Sequence, residues 1–187
     1  MAVMQRGSNV ALTREVPSLS SVVLGVRVSP GAEKALLDNL VVAALLCDSS
    51  AKALSDEHFV FFNQLSSPDM SVSQLAEAMD GDHEQIEVDL AAVPPEVFRI
   101  VVVLYVNEGM LGRRSLGQLR ELVIRVLDLA DNRELVRSDN LAAALSAETA
   151  IALGELYRRA GEWKFKVIGD GYVKGIAGIA ADYGLTL

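Results

Sequence analysis

"IALGELYRRAGEWKFKVIG", residues 151–169, decides the fold. Gly161 sits between two segments that alternate apolar and polar positions, and a glycine so placed reads as the turn of a β-hairpin. Working outward from it, short runs rich in β-branched and aromatic residues recur at fairly regular intervals between turn signals. We read strands at residues 9–13, 21–28, 40–48, 58–64, 84–90, 99–106, 122–129 and 134–139. Helices are the minority. The sequence predicts one turn with proline at its start over 94–98, a short connector over 115–122, and a helix-like "SQLAEAM" over 73–79. A last helix falls within 171–184, where Val173, Ile176, Ile179 and Ala180 have helical spacing.

About ten strands in one compact unit must bury their apolar faces against each other. The predicted fold is therefore all-β: a β-sandwich of two sheets with a few short helices, one near the C-terminus. No linker divides the chain and no fixed-period repeat runs through it, so residues 1–187 are read as one domain.

Composition narrows the function. The longest apolar runs, "LVVAALLC" (40–47) and "IVVVLYV" (100–106), fall far short of the roughly 20 residues that span a bilayer. The apolar run "VVLGVRV" is short and broken by Arg27, which does not suit a secretory signal, and a cytoplasmic location is expected. Cys47 is the only cysteine, so no intrachain disulfide forms, and its place at the end of an apolar run predicts a buried small hydrophobe. A net charge of −8 disfavours nucleic acid as a partner, because sequence-independent binding depends on Lys and Arg neutralising phosphates.

Catalytic arrangements are hard to assemble from these residues. Neither a nucleophile elbow nor a P-loop occurs. His58 and His83 are the only imidazoles and read as surface residues, and zinc ligation would need more His and Cys. A carboxylate-dependent hydrolase would need two acids paired across a cleft, which no spacing here provides. In "GDGYVKG" (169–175) a phosphate cradle is opposed by Asp170, and the plainer reading is a tight turn feeding a helix. Arg113 and Arg114, in "EGMLGRRSLGQL" (108–119), suit a solvated loop or a grip on phosphate; the latter is the basis of an alternative reading as a small-ligand or nucleotide-binding module.

The acidic stretch "MDGDHEQIEVDL" (79–90) leaves two readings open. Asp80, Asp82 and Glu84 at alternate positions offer oxygen ligands to a hard cation, or else form a solvated turn. It is not an EF-hand, since Gln85 and Ala91 stand where that pattern needs glycine and glutamate.

"GSNVALT", "SDEHFVFFNQLSSPDMSV", "DHEQIEVDLAAVP" and "ETAIALGELYRRAGEWKFKVIGDGY" together resemble the TerD family of bacterial tellurium-resistance and stress proteins, which includes a cyclic-AMP-binding relative. The resemblance runs from about Gly7 to the C-terminus. It implies a β-sandwich that binds calcium through acidic loops at one end, has no established enzymatic activity and works with other stress-response proteins. The ligand set it implies is Asp80, Asp82, Glu84 and Asn39. Three departures bear on that set. Asn39, Leu40, Val41, Val42 and Ala43 stand where the family carries a D-L-D-A-S motif, and Val41 cannot ligate. The family's G-D-N turn is missing and His83 replaces an aspartate of the acidic cluster, so calcium binding is expected to be weak or absent.

Overall fold

The structure, a computed structural model, describes residues 2–107 and 114–187. In chain order its elements are β1 (Ala2–Met4), β2 (Asn9–Ala11), α1 (Leu12–Glu15), β3 (Ser21–Pro30), β4 (Leu40–Cys47), β5 (Phe59–Val60) and β6 (Val72–Gln74). There follow β7 (Glu84–Asp89), β8 (Arg99–Val106), β9 (Leu119–Asp128), β10 (Glu134–Ser138), β11 (Ala150–Arg159), β12 (Glu162–Tyr172) and α2 (Ile176–Tyr183). Two sheets form, the first in the order β1-β10-β9-β3-β7-β6 and the second in the order β2-β12-β11-β8-β4-β5. This is the expected two-sheet sandwich with few, short helices and one of them at the C-terminus.

The opening hairpin forms as its alternation requires. β11 pairs antiparallel with β12 from Ala150↔Tyr172 to Arg159↔Glu162. Ala160 and Gly161, both at positive φ, make the two-residue turn whose twist matches that of the strands. Leu24, Val26, Ile86 and Ile124 of the first sheet meet Val42, Ile100, Leu104 and Phe165 of the second in the main core.

The second sheet has a further layer. β4 is buried along all eight residues and β8 nearly so. Their outward-facing Val41, Ala43, Leu45, Val101, Val103 and Tyr105 form a second cluster with Ile179 and Ala180 of α2 and with Leu185. A strand apolar at every position needs cover on both faces, and α2 supplies it. α2 stops at Gly184, which takes the left-handed conformation at φ 75°.

Several boundaries differ from expectation. The helix-like 73–79 is instead the end of β6 and a run of bends, because Val72–Gln74 pair with β7 at Val88, Glu87 and Ile86. Long-range pairing overrides helix propensity there. The strand expected over 58–64 keeps only Phe59–Val60, and the one over 9–13 gives way to α1 at Leu12. The connector over 115–122 is a single 3₁₀ turn, Leu116–Gln118, after which β9 begins. The turn over 94–98 closes with Val97 N–H donating to the Pro94 carbonyl at 3.0 Å.

Candidate functional site

Buried charge gathers on the outer face of the first sheet. The β6–β7 connection folds back over that face and sets Asp82 against Gly25 of β3. A Cβ built on Gly25 would overlap Asp82 Oδ2, so only glycine admits the carboxylate there. The Asp82 side chain is fully buried. Burial of a carboxylate needs compensating charge and hydrogen bonds. Arg125 of β9, directly across from Gly25, supplies most of both: its Nε donates to Oδ1 and Oδ2 at 3.0 Å each and its Nη2 to Oδ2 at 2.8 Å. Gln85 Nε2 donates to Oδ2 at 2.8 Å. Arg27 of β3 brings a second guanidinium, with Nε 3.3 Å from Oδ1.

The network spreads outward from this centre. Arg125 Nη1 also donates to Glu134 of β10 at 3.3 Å, and Glu134 accepts from Arg137 at 2.7 and 3.0 Å. Burial pushes the Glu134 carboxyl up, but the bonds and charges of Arg137 and Arg125 outweigh it and hold the group below its usual value. Asp80, at φ 58°, accepts from Asn132 through its carboxylate at 2.9 Å and from Arg27 through its carbonyl at 2.5 Å. The loop is thus fastened to β3, β9 and the β9–β10 turn.

The four residues expected as cation ligands are divided by this geometry. Asp80 and Asp82 meet at Arg27. Glu84 shares a face with inward-pointing Ile86 and Val88, opposite the face that carries Asp82, and accepts from Gln74 at 2.9 Å. Asn39 ends a 3₁₀ turn before β4, in the other sheet, and donates to the Ala35 carbonyl at 3.1 Å. Among the described residues no three His, Cys, Asp or Glu side chains are grouped to hold a metal ion.

The other candidates resolve as follows. Arg113 lies outside the described residues, and Arg114 pairs with Glu33 at 3.5 Å. In "GDGYVKG", Asp170 pairs with Arg6 at 3.0 Å and the chain is still strand as far as Tyr172. His58 Nδ1 and Ser55 Oγ share a hydrogen bond of 2.7 Å. Cys47 is buried, which pushes its thiol up to about 12.

Sequence reasoning missed what the "GELYR…GEWKF" stretch does. Glu155, on the outer face of the second sheet, pairs with Arg99 of β8 at 2.6 Å. Arg99 in turn lies over the Tyr157 ring. Arg158 stacks 4.7 Å over Trp163 and donates to the Val93 and Pro94 carbonyls at 2.6 Å each. These charged residues clamp strands and a loop. Glu155 stands on an outward position of the hairpin, whereas Arg158 shares the inner face with Leu156 and lies opposite Trp163 at the hairpin's end.

Two sheets packed face to face, with buried charges fastening loops on one and a C-terminal helix over the other, define the class as an all-β sandwich. The chain's family follows from comparison: the TerD domain model matches residues 1–183, and the chain belongs to the TerD family. It is 36% identical to tellurium resistance protein TerD of Serratia marcescens, over 98% of this chain and 97% of that one. It is 39% identical to general stress protein 16U of Bacillus subtilis (strain 168), over 97% and 96%. A solved homologue of telluride resistance protein TerD from Streptomyces coelicolor A3(2) shares the fold, with a TM-score of 0.66 at 19% identity over 87% of this chain and 96% of that one. These relatives are named for resistance and stress. No helix among the described residues is long and apolar enough to cross a membrane.

Proposed function

We propose that this chain is a non-enzymatic, cytoplasmic protein of tellurium resistance and the stress response, a rigid scaffold that presents its loops to other stress-response proteins. The observation that carries the reading is how the buried polar groups are used. The eight buried polar or charged residues among those described are Ser67, Ser71, Asp82, Gln85, Arg125, Asp128, Ser138 and Glu155. Each bonds within the protein to hold a turn, a strand pair or a loop. A catalytic acid, base or nucleophile is instead held ready for a substrate. Tellurite reduction by a protein thiol would further need an accessible thiolate, and Cys47 is both buried and raised in pKa.

The test is complementation. In a bacterium deleted for its own relative, the wild-type chain is expected to restore growth in tellurite. The triple variant His58→Ala, His83→Ala, Cys47→Ala is expected to do so equally well. Loss of rescue by a triple variant that still folds would show that one of those groups does chemistry.

A further inference from the structure

We infer that Arg27 and Arg125 stand where a divalent cation would be needed, so that this chain closes its acidic loop over the first sheet without calcium. The inference deepens the scaffold reading and rests on it only for what the closed loop is for.

The ligands a calcium ion would use are already taken. It needs six to eight oxygens at about 2.3–2.6 Å. Asp82 Oδ2 accepts from Arg125 Nη2 and Gln85 Nε2, and Oδ1 accepts from Arg125 Nε with Arg27 Nε at 3.3 Å. The Asp80 carbonyl is held by Arg27 and its carboxylate by Asn132. Glu84 lies on the other face of the sheet and Asn39 bonds within its own turn. A cation entering beside Asp82 would have to displace these donors and then sit against two guanidinium charges in a buried setting, where repulsion is poorly screened.

The replacement also matches in charge and in effect. Two guanidinium groups bring the charge of one divalent cation, and they do the mechanical work expected of it. Arg27 links the Asp80 carbonyl to the Asp82 carboxylate, and Arg125 ties the Asp82 carboxylate to β9. Gly25 leaves room for the carboxylate to come down onto the sheet, so closure is built into the strands. Arg27 is the residue that excludes the ion, since its side chain stands 26% exposed between Asp82 and solvent.

The experiment is a thermal melt of the full chain in chelator, in millimolar calcium and in millimolar magnesium. Wild-type midpoints are expected to agree within about 1 °C, because a ligand that does not bind the folded state does not move them. A calcium-specific rise of roughly 5–10 °C, the size a tightly held ion gives a chain of this length, overturns the inference. Arg27→Asp removes the guanidinium and adds a carboxylate beside Asp82. It is expected to melt below wild type in chelator and to recover several degrees in calcium, whereas a folded variant indifferent to calcium overturns the replacement. Should that variant not fold, cleavage of the wild-type loop after exposed Glu77 by a glutamyl endopeptidase decides. The expected rate is the same with chelator as with calcium, and slowing by calcium overturns the inference. Failure of the tellurite complementation would remove the scaffold reading and leave these measurements as they stand.

Discussion

The second sheet covers its outer face with α2 and a cluster of apolar side chains, while the first sheet covers the same side of itself with arginines and carboxylates. The contrast is one of tolerance. Apolar cover is non-directional and scales with area, so losing part of it costs in proportion to what is lost. Ionic cover is directional, and losing one partner leaves the other buried and unpaired. The first sheet therefore depends on a few residues, and the second on many.

The largest effect should come from the ionic face. Arg125→Gln takes from Asp82, whose side chain is fully buried, its principal partner and leaves it Gln85 and Arg27, and should cost about 3–5 kcal/mol in chemical denaturation. A loss no larger than that of an ordinary surface substitution would erase the contrast. On the apolar face, Ile179→Ala removes a fully buried side chain of α2 and should cost about 2–4 kcal/mol. Cys47 reports on that same face: its thiol should react only when denaturant opens the wild-type protein, and at lower denaturant in Ile179→Ala.

Acid should separate the faces more gently. Glu134 has a folded pKa below its ordinary value of 4.5. Its contribution is thus present above about pH 4.5 and is lost as pH falls through the lower folded value. Glu134→Gln should flatten the wild-type stability curve in that acid window, whereas Ile179→Ala should leave its shape unchanged. The smallest effect lies at the seam between the sheets. Met70 sits at φ 67°, a conformation costly for a side chain with a Cβ, and Met70→Gly should stabilise by about 0.5–1 kcal/mol. A loss there would mean that the exposed Met70 side chain makes contacts worth more than the strain.

Much of this architecture was legible in the residues. Alternation around Gly161 marks the β11–β12 hairpin because one face of it is buried and the other is not. "LVVAALLC" marks a strand too, but its lack of any polar alternate position was the sign that a layer lies on both sides, and α2 as that layer was not foreseen. β6 was hidden because three residues are too few to set a period, and their strand identity comes from β7. The charged centre was hidden for a different reason. "GVRV" and "VIRV" each show one arginine on an outward strand position, but that Arg27 and Arg125 converge on Asp82 depends on strand order. Gly25, a glycine inside an otherwise β-branched strand, was the one local hint of a close approach.

The way the sheets end bears on how the sandwich meets other chains. The long strands β3, β8, β9 and β11 are all interior, and the borders are β1, β6, β2 and β5, none longer than three residues. β1 and β2 follow one another in the chain, as do β5 and β6, so a single connection closes each side of the sandwich, short between β1 and β2 and longer between β5 and β6. A free border is a template on which a stray chain can add a strand, and borders this short offer it only a rung or two. Such a sandwich resists recruitment into aggregates, the state toward which stress drives most other chains.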